Sequence, residues 1–338
     1  MQICSSTKTK HHFIMNTSAN SFLFIDQFVS RYCLSALFIL GTIGLTLNTI
    51  IFTRPTFRTT SCILYLLAST LANYPIIFFI IPCRFFADGF YLDPTKNSSI
   101  FCKFREYILI VSQSLSAWFI VLATFDRLMS SSHDIHHRQF CHIHIARRII
   151  FITTISALIF YLHIPILFEN KLQGDQCNAP IGIYRIINDC LYSLCYIIIP
   201  SILMLIFGLL TINNRRHRRI IPAFQSLYII KRDRYLFLMI IFQFILFVCT
   251  TIPYAIEKFY LTITINGLPD GDDYIDFLDE FFVIITQMIS FINHSCQFYI
   301  FTLSSKLFRQ ELQRIFRMLK IFPQQNPAIV VNNQKHLK

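Results

Sequence analysis

In the stretch "VLATFDRLMS", residues 121 to 130, an acid and a base, Asp126 and Arg127, stand together at the end of an otherwise apolar run. An adjacent carboxylate and guanidinium can pair with a partner charge or simply form a solvated helix end. Catalytic arrangements are missing from the apolar runs: there is no His-Glu-x-x-His motif, no pair of carboxylates and no Ser/His arrangement. Cys102, 25 residues before Arg127, is placed for a disulfide or a free thiol. Cys33, Cys62, Cys195, Cys249 and Cys296 fall within apolar runs and read as small core residues, and no Cys-x-x-Cys pair points to zinc. The histidines of "SSHDIHHRQFCHIHIARR" could gain charge at mildly acidic pH, but mobile loop histidines are more often incidental than metal-binding. No cofactor is expected.

The elements that must position these residues follow from composition. Of 338 residues, 54% are apolar and only 14% charged, whereas an ordinary soluble domain is about 25% charged. Apolar runs of about 20 residues, the length that crosses a bilayer core about 30 Å thick, recur seven times. They cover 29–52, 62–82, 107–125, 145–168, 190–212, 235–256 and 281–303. Arg31, near the end of the first, can snorkel to the interface. No cleavable leader pattern precedes residue 29, so the first span is expected to serve as its own insertion signal. The predicted fold is an all-α membrane protein, a seven-helix bundle (29–303) preceded by an outer N-terminus (1–28) and followed by an amphipathic helix (304–320) and a tail (321–338).

Charge sets the expected orientation. The intervals 53–61, 126–148, 213–234 and 304–338 hold 20 of the 30 Lys and Arg but only four of the 18 acids. Basic connections stay on the cytoplasmic side, which predicts the N-terminus outside and the C-terminus inside. The net charge of +12 is thereby read as topology and not as nucleic-acid binding. Sequons at Asn16 and Asn97 then fall outside, whereas the one at Asn293 lies within the seventh span and is not expected to be modified. Pro75, Pro82, Pro165, Pro200 and Pro253 lie within or near spans and are candidate bends. In "SSKLFRQELQRIFRMLK", Leu307, Phe308, Leu312, Ile315 and Phe316 fall near one helical face among basic residues, as in a helix lying on an anionic leaflet.

Seven spans, this orientation, the Asp126-Arg127 pair and the Cys102–Arg127 spacing resemble the rhodopsin-like (class A) G-protein-coupled receptors over residues 29 to 317. At 1.5 Å per residue that spacing covers roughly 37 Å, one helix across a bilayer. The resemblance implies that Cys102 pairs with a cysteine of the second outer loop, where Cys177 is the candidate, and that Arg127 meets a heterotrimeric G protein after release from neighbouring acids. Asp126 is one such acid. Asp233, 20 residues before Pro253, matches the position from which some members hold the third-span arginine. Both could equally be solvated helix-end charges. Asn48, Asn73, Ser116, Asn293 and Ser295 match in part the family's buried polar patch, and Pro200, Phe247 and Pro253 its helix hinges. With Asn73 where the family usually has aspartate, the charge that would favour a sodium ion is missing. Leu128, Thr251 and Gly208 replace residues common in the family, "QFYIF" (297–301) stands where its seventh-span motif belongs, and the fourth span lacks its tryptophan.

The ligand is read from what is present. Leu109 occupies the place of the amine-binding aspartate, and 281–303 contains no lysine for retinal, which disfavours both classes. Asp270, Asp272, Asp273, Asp276, Asp279 and Glu280 crowd the last outer loop and could steer a basic peptide, such as a neuropeptide, although an acidic outer loop also serves solubility alone. Opposite them, Arg215, Arg216, Arg218, Arg219, Lys231, Arg232 and Arg234 form a basic collar. A receptor at the plasma membrane is the leading expectation. A polytopic transporter or channel is the alternative, disfavoured by span interiors nearly free of charge, and a membrane enzyme comes third.

Overall fold

The computed structural model describes residues 3–58, 60–90, 92–132, 141–167, 182–218, 227–267 and 273–318. In a bilayer every backbone N–H and C=O must find its partner within the protein, so long apolar runs become helices or closed barrels. Regular structure among the described residues is helical throughout. The chain runs through α1 (Ile3–Phe52), α2 (Ser61–Pro75, Ile76–Ile80, Ile81–Phe90), α3 (Ser99–Ser131) and α4 (Ile143–Phe160, then His163–Leu167). It continues through α5 (Ile183–Tyr192, Ser193–Ile198, Ile199–Arg218), α6 (Leu227–Gly267), α7 in two arms (Asp273–Ser295, Gln297–Ser304) and α8 (Lys306–Met318). Six helices are long and apolar enough to cross a membrane, and the arms of α7, bent by 50° around Cys296, make a seventh when taken as one span. The protein is an all-α, multi-pass membrane bundle.

Several helices overrun their apolar runs. The span within α1 is Gln27–Phe52, yet the helix begins at Ile3, inside the segment expected to precede the bundle. In α3 the helix extends beyond 107–125 to take in Arg105 and Glu106 at one end and Asp126 and Arg127 at the other. These charges do not interrupt it because they pair with one another.

The centre of the bundle is α3, 78% of whose apolar window is buried, against 11% for α4. Large residues along α4, such as Phe151, Ile152, Ile155 and Ile159, are accordingly exposed, as a lipid-facing helix requires. Two π-helical turns mark proline-linked irregularities: Ile76–Ile80 directly follows Pro75, and Ser193–Ile198 precedes Pro200. Such turns absorb a disturbed hydrogen-bond ladder, and the second lets the Cys195 carbonyl accept the Trp118 indole N–H of α3 at 3.0 Å. Pro253, by contrast, lies inside a continuous α6. One turn earlier, Thr250 and Thr251 return their hydroxyls to the carbonyls of Leu246 and Phe247 at 2.8 and 2.7 Å.

The bend of α7 is packed rather than loose. A Cβ built on Gly44 of α1 would lie 3.1 Å from Phe298 Cβ and 3.3 Å from the Ser295 carbonyl oxygen, so the absence of a side chain lets α1 approach the break. Below it, Phe52, Phe57, Phe298, Phe301 and Phe308 form a ring cluster with neighbouring centroids 5.7–6.4 Å apart, fastening α8 to α1 and α7. Leu307, Ile315 and Leu312 join the same core.

Overpacking a tight contact costs about 1–3 kcal/mol. Gly44→Leu is expected to lower the thermal unfolding midpoint of the detergent-solubilised protein, whereas Gly208→Leu in α5, whose Cβ would meet nothing within 4 Å, is expected to change it little. Equal midpoints for the two variants would remove Gly44 from this role.

Candidate functional site

At one end of the bundle Arg127 is 2% exposed, and water cannot neutralise a guanidinium so placed. Its Nη2 donates to Asp126 Oδ2 at 2.6 Å and its Nη1 to Asp233 Oδ1, on α6, at 3.1 Å. The other Asp126 oxygen, Oδ1, accepts from the Ser61 hydroxyl of α2. The backbone carbonyls are engaged as well: that of Asp126 accepts from the Cys141 thiol at 3.5 Å, and that of Asp233 from Arg215 of α5 at 3.0 Å. Arg215 also lies 4.7 Å over the Phe237 ring. One ionic centre therefore ties together α2, α3, α5 and α6.

The two carboxylates on Arg127 are not equivalent. The Asp126 side chain is 4% exposed and that of Asp233 33%. Solvent screens the second pair and leaves the first at nearly full strength. The Arg127–Asp126 bond lies within α3, and the Arg127–Asp233 bond, the more exposed of the two, joins α3 to α6.

Midway along the bundle, neutral groups replace charges. Asn73 donates through Nδ2 to Gln297 Oε1 at 3.0 Å, and Gln297 donates through Nε2 to Ser69 Oγ at 3.3 Å. Ser69 in turn meets Ser116 Oγ at 3.0 Å. The carbonyl oxygen of Asn73 faces His294 Nδ1 at 2.9 Å, and His294 Nε2 faces the Tyr196 hydroxyl at 3.3 Å. A neutral imidazole protonated on Nδ1 satisfies both contacts, donating to Asn73 and accepting from Tyr196; these roles are assigned from the partners. Gln243 of α6 donates to Asn293 Oδ1 of α7 at 2.9 Å.

Of the residues expected in one polar patch, Asn73 and Ser116 are thus joined through Gln297 and Ser69, whereas Asn293 turns to α6. Asn48 and Ser295 are buried but make no side-chain hydrogen bond. Phe247 is fully buried, its ring edge-on to Tyr196 at 5.6 Å. His294, Gln243 and Tyr196 were not singled out from the sequence. A signal existed in the i, i+3 spacing of His294 and Gln297 and the i, i+4 spacing of Ser69 and Asn73, which repeat polar residues on one face of an apolar helix.

The opposite end, marked by Cys102, carries a second set of charges. Cys102 is disulfide-bonded. Arg105 is held by Glu106, with Nε at 3.1 Å and Nη2 at 2.9 Å, and by Asp93 at 3.7 Å. Asp189 of α5 accepts from Thr262 at 2.7 Å and pairs with Lys258 at 3.3 Å, both on α6. Arg84 and Asp88 of α2 are 3.8 Å apart, and Tyr192 donates to Gln113 at 2.9 Å. Charges at helix ends carry no hydrophobic signal, so Arg84, Arg105, Glu106, Asp189 and Lys258 all fall just outside the apolar runs of the sequence. Cys177 and Asp272 lie outside the described residues, as do the side chains of Asn16, Asn97, Asp273 and Asp276. Among the described residues no three His, Cys, Asp or Glu gather to hold a metal ion.

Leaving a buried polar partner unmet costs about 1–3 kcal/mol. Asn73→Leu is expected to destabilise the solubilised protein by that amount, and Gln297→Leu should cost less in the Asn73→Leu background than alone. Additive effects in thermal unfolding would mean that the two amides do not act as one network.

Compared with known proteins, the chain matches no family model and no curated relative.

Proposed function

We propose that the protein is a receptor of the rhodopsin-like (class A) G-protein-coupled kind, converting binding of an extracellular ligand into nucleotide exchange on a heterotrimeric G protein. The observation that carries this reading is the clasp of Arg127 between Asp126 and the part-exposed Asp233 of α6. Two helices joined by a screened ion pair at one end, with packed cores above, make an element with two arrangements, as a switch requires. A partner that offers acceptors to Arg127 displaces Asp233 and parts α6 from α3.

Orientation enters as part of the proposal. The excess of Lys and Arg in the sequence intervals that hold Arg127 and Asp233 supports a cytoplasmic position for that end of a plasma-membrane protein, with the N-terminus outside. Cys102 is then extracellular, where disulfides persist, and Cys177 is its proposed partner. Asp272, Asp273 and Asp276 lie on the same outer side and steer a basic peptide towards the bundle.

A partly exposed pair contributes about 0.5–1 kcal/mol, so loosening it shifts a two-state equilibrium roughly 2- to 5-fold. Asp233→Asn is expected to raise ligand-free nucleotide exchange by that factor in membranes reconstituted with G proteins, and Arg127→Ala to abolish it. Exchange that stays flat in both variants across the G-protein classes overturns the reading.

A second reading, a transporter, draws on the broken α7 and the polar groups packed beside the break. Discontinuous helices hold substrate sites in such proteins. Solute uptake by proteoliposomes that Asn73→Leu abolishes, together with flat exchange, is the result that favours it.

A further inference from the structure

Several arginines at the Arg127 end of the bundle are held by the protein itself. Arg127 pairs with Asp126 and Asp233, Arg215 donates to the Asp233 carbonyl, Arg309 to those of Thr302 and Leu303, and Arg314 to Glu311. Arg147 and Arg148, adjacent near the start of α4, differ: both are exposed, and among the described residues neither side chain has a partner. No Asp or Glu stands on α4, from Ile143 to Leu167, to answer them.

The two arginines head a continuous exposed stripe. Exposed positions on α4 recur every three or four residues, His144, Arg147 and Arg148 first and then Phe151, Ile155 and Ile159, which sets them on one face of the helix. The opposite face is the packed one, with Ala146 fully buried and Ile150 against the same core. Arg148 to Ile159 covers roughly 16 Å at 1.5 Å per residue, about the depth of one leaflet of a core about 30 Å thick. Only 11% of the apolar window of α4 is buried, so the stripe has no helix of this chain over it. A second copy docked here by twofold symmetry would set arginine against arginine.

We infer that this face of α4 holds an anionic phospholipid, its headgroup at Arg147 and Arg148 and an acyl chain along Phe151, Ile155 and Ile159. Charge complementarity selects the occupant. A guanidinium presents a planar fork of N–H donors that matches phosphate oxygens, and two adjacent forks without an acid beside them favour a headgroup of net negative charge. A zwitterionic headgroup brings its own cation, which the second arginine repels. The apolar stripe below the arginines excludes a small soluble anion as the preferred partner, because only a lipid covers both parts at once. In the orientation proposed above, the leaflet concerned is the cytoplasmic one, where anionic lipids attract basic residues. The lipid site itself does not depend on the receptor reading.

The test sets a tryptophan on the stripe and reads its quenching by phospholipids brominated in their acyl chains, with the full chain in nanodiscs of phosphatidylcholine containing a minor share of phosphatidylserine. Trp118, the single native tryptophan, gives every variant the same background. In Ile155→Trp, brominated phosphatidylserine is expected to quench the new indole beyond its share of the bilayer. That enrichment should fall roughly fivefold with each of Arg147→Gln and Arg148→Gln, the attraction of one basic residue to anionic lipid. The control is Ile43→Trp, at an exposed position of α1 with no basic residue between it and Arg54, where quenching should follow bilayer composition. Equal enrichment at the two positions overturns the proposal, as does enrichment beside α4 that survives removal of both arginines. Should the double variant fail to reconstitute, the comparison of the two reporters with the arginines intact still decides. No G protein takes part, so failure here leaves the exchange experiment on Asp233 standing, and failure there leaves this result standing.

Discussion

A bilayer offers no water to a polar group, and that constraint organises the whole molecule. It makes the long runs helical, since only a helix satisfies its own backbone. It also decides what happens to each side chain that is not apolar. Arg127, Asp126, Asn73, Gln297 and His294 are buried to within a few per cent of full coverage, and each has found its partner on another helix or on its own. The apolar surface brings the helices into one phase, and the polar groups choose which helix lies against which.

Along the bundle axis the polar groups change character. Ion pairs occupy both ends, where helix ends meet water and a charge can be partly solvated. Neutral amides, hydroxyls and one imidazole occupy the middle, where desolvating a charge would cost most. Span α6 is gripped at both ends, by Asp189 against Lys258 and Thr262 at one and by Asp233 against Arg127 and Arg215 at the other. Between the grips it carries Pro253, with Thr250 and Thr251 bonding back to carbonyls one turn earlier. The helix is thus held at both ends by charge pairs, with its proline between them.

The broken α7 shows that a bend need not come from proline or glycine. Cys296 sits at the break, and His294, two residues before it, and Gln297, directly after it, are both committed to Asn73. Gly44 allows α1 to press against the break, and the phenylalanine cluster below fastens the second arm to α8. The geometry of the bend is therefore a property of three helices together.

Much of the architecture was legible from the chain alone, because hydrophobic length is a local property: six of the seven apolar runs lie in helices long enough to cross a membrane, the seventh lies in the bent pair of α7, and the amphipathic pattern of 304–320 marked the helix that follows. The spacing of Cys102 and Arg127 placed both ends of α3 for the same reason, since rise per residue is fixed. Which groups meet is not local. The unequal exposure of Asp126 and Asp233, the path from Asn73 through His294 to Tyr196, and the isolation of Asn48 and Ser295 all depend on how helices distant in sequence are rotated against one another. Side-chain spacing gives each helix a face, but only packing in three dimensions decides what that face finds, and in a medium without water that decision settles which polar atoms gain a partner and which are left without one.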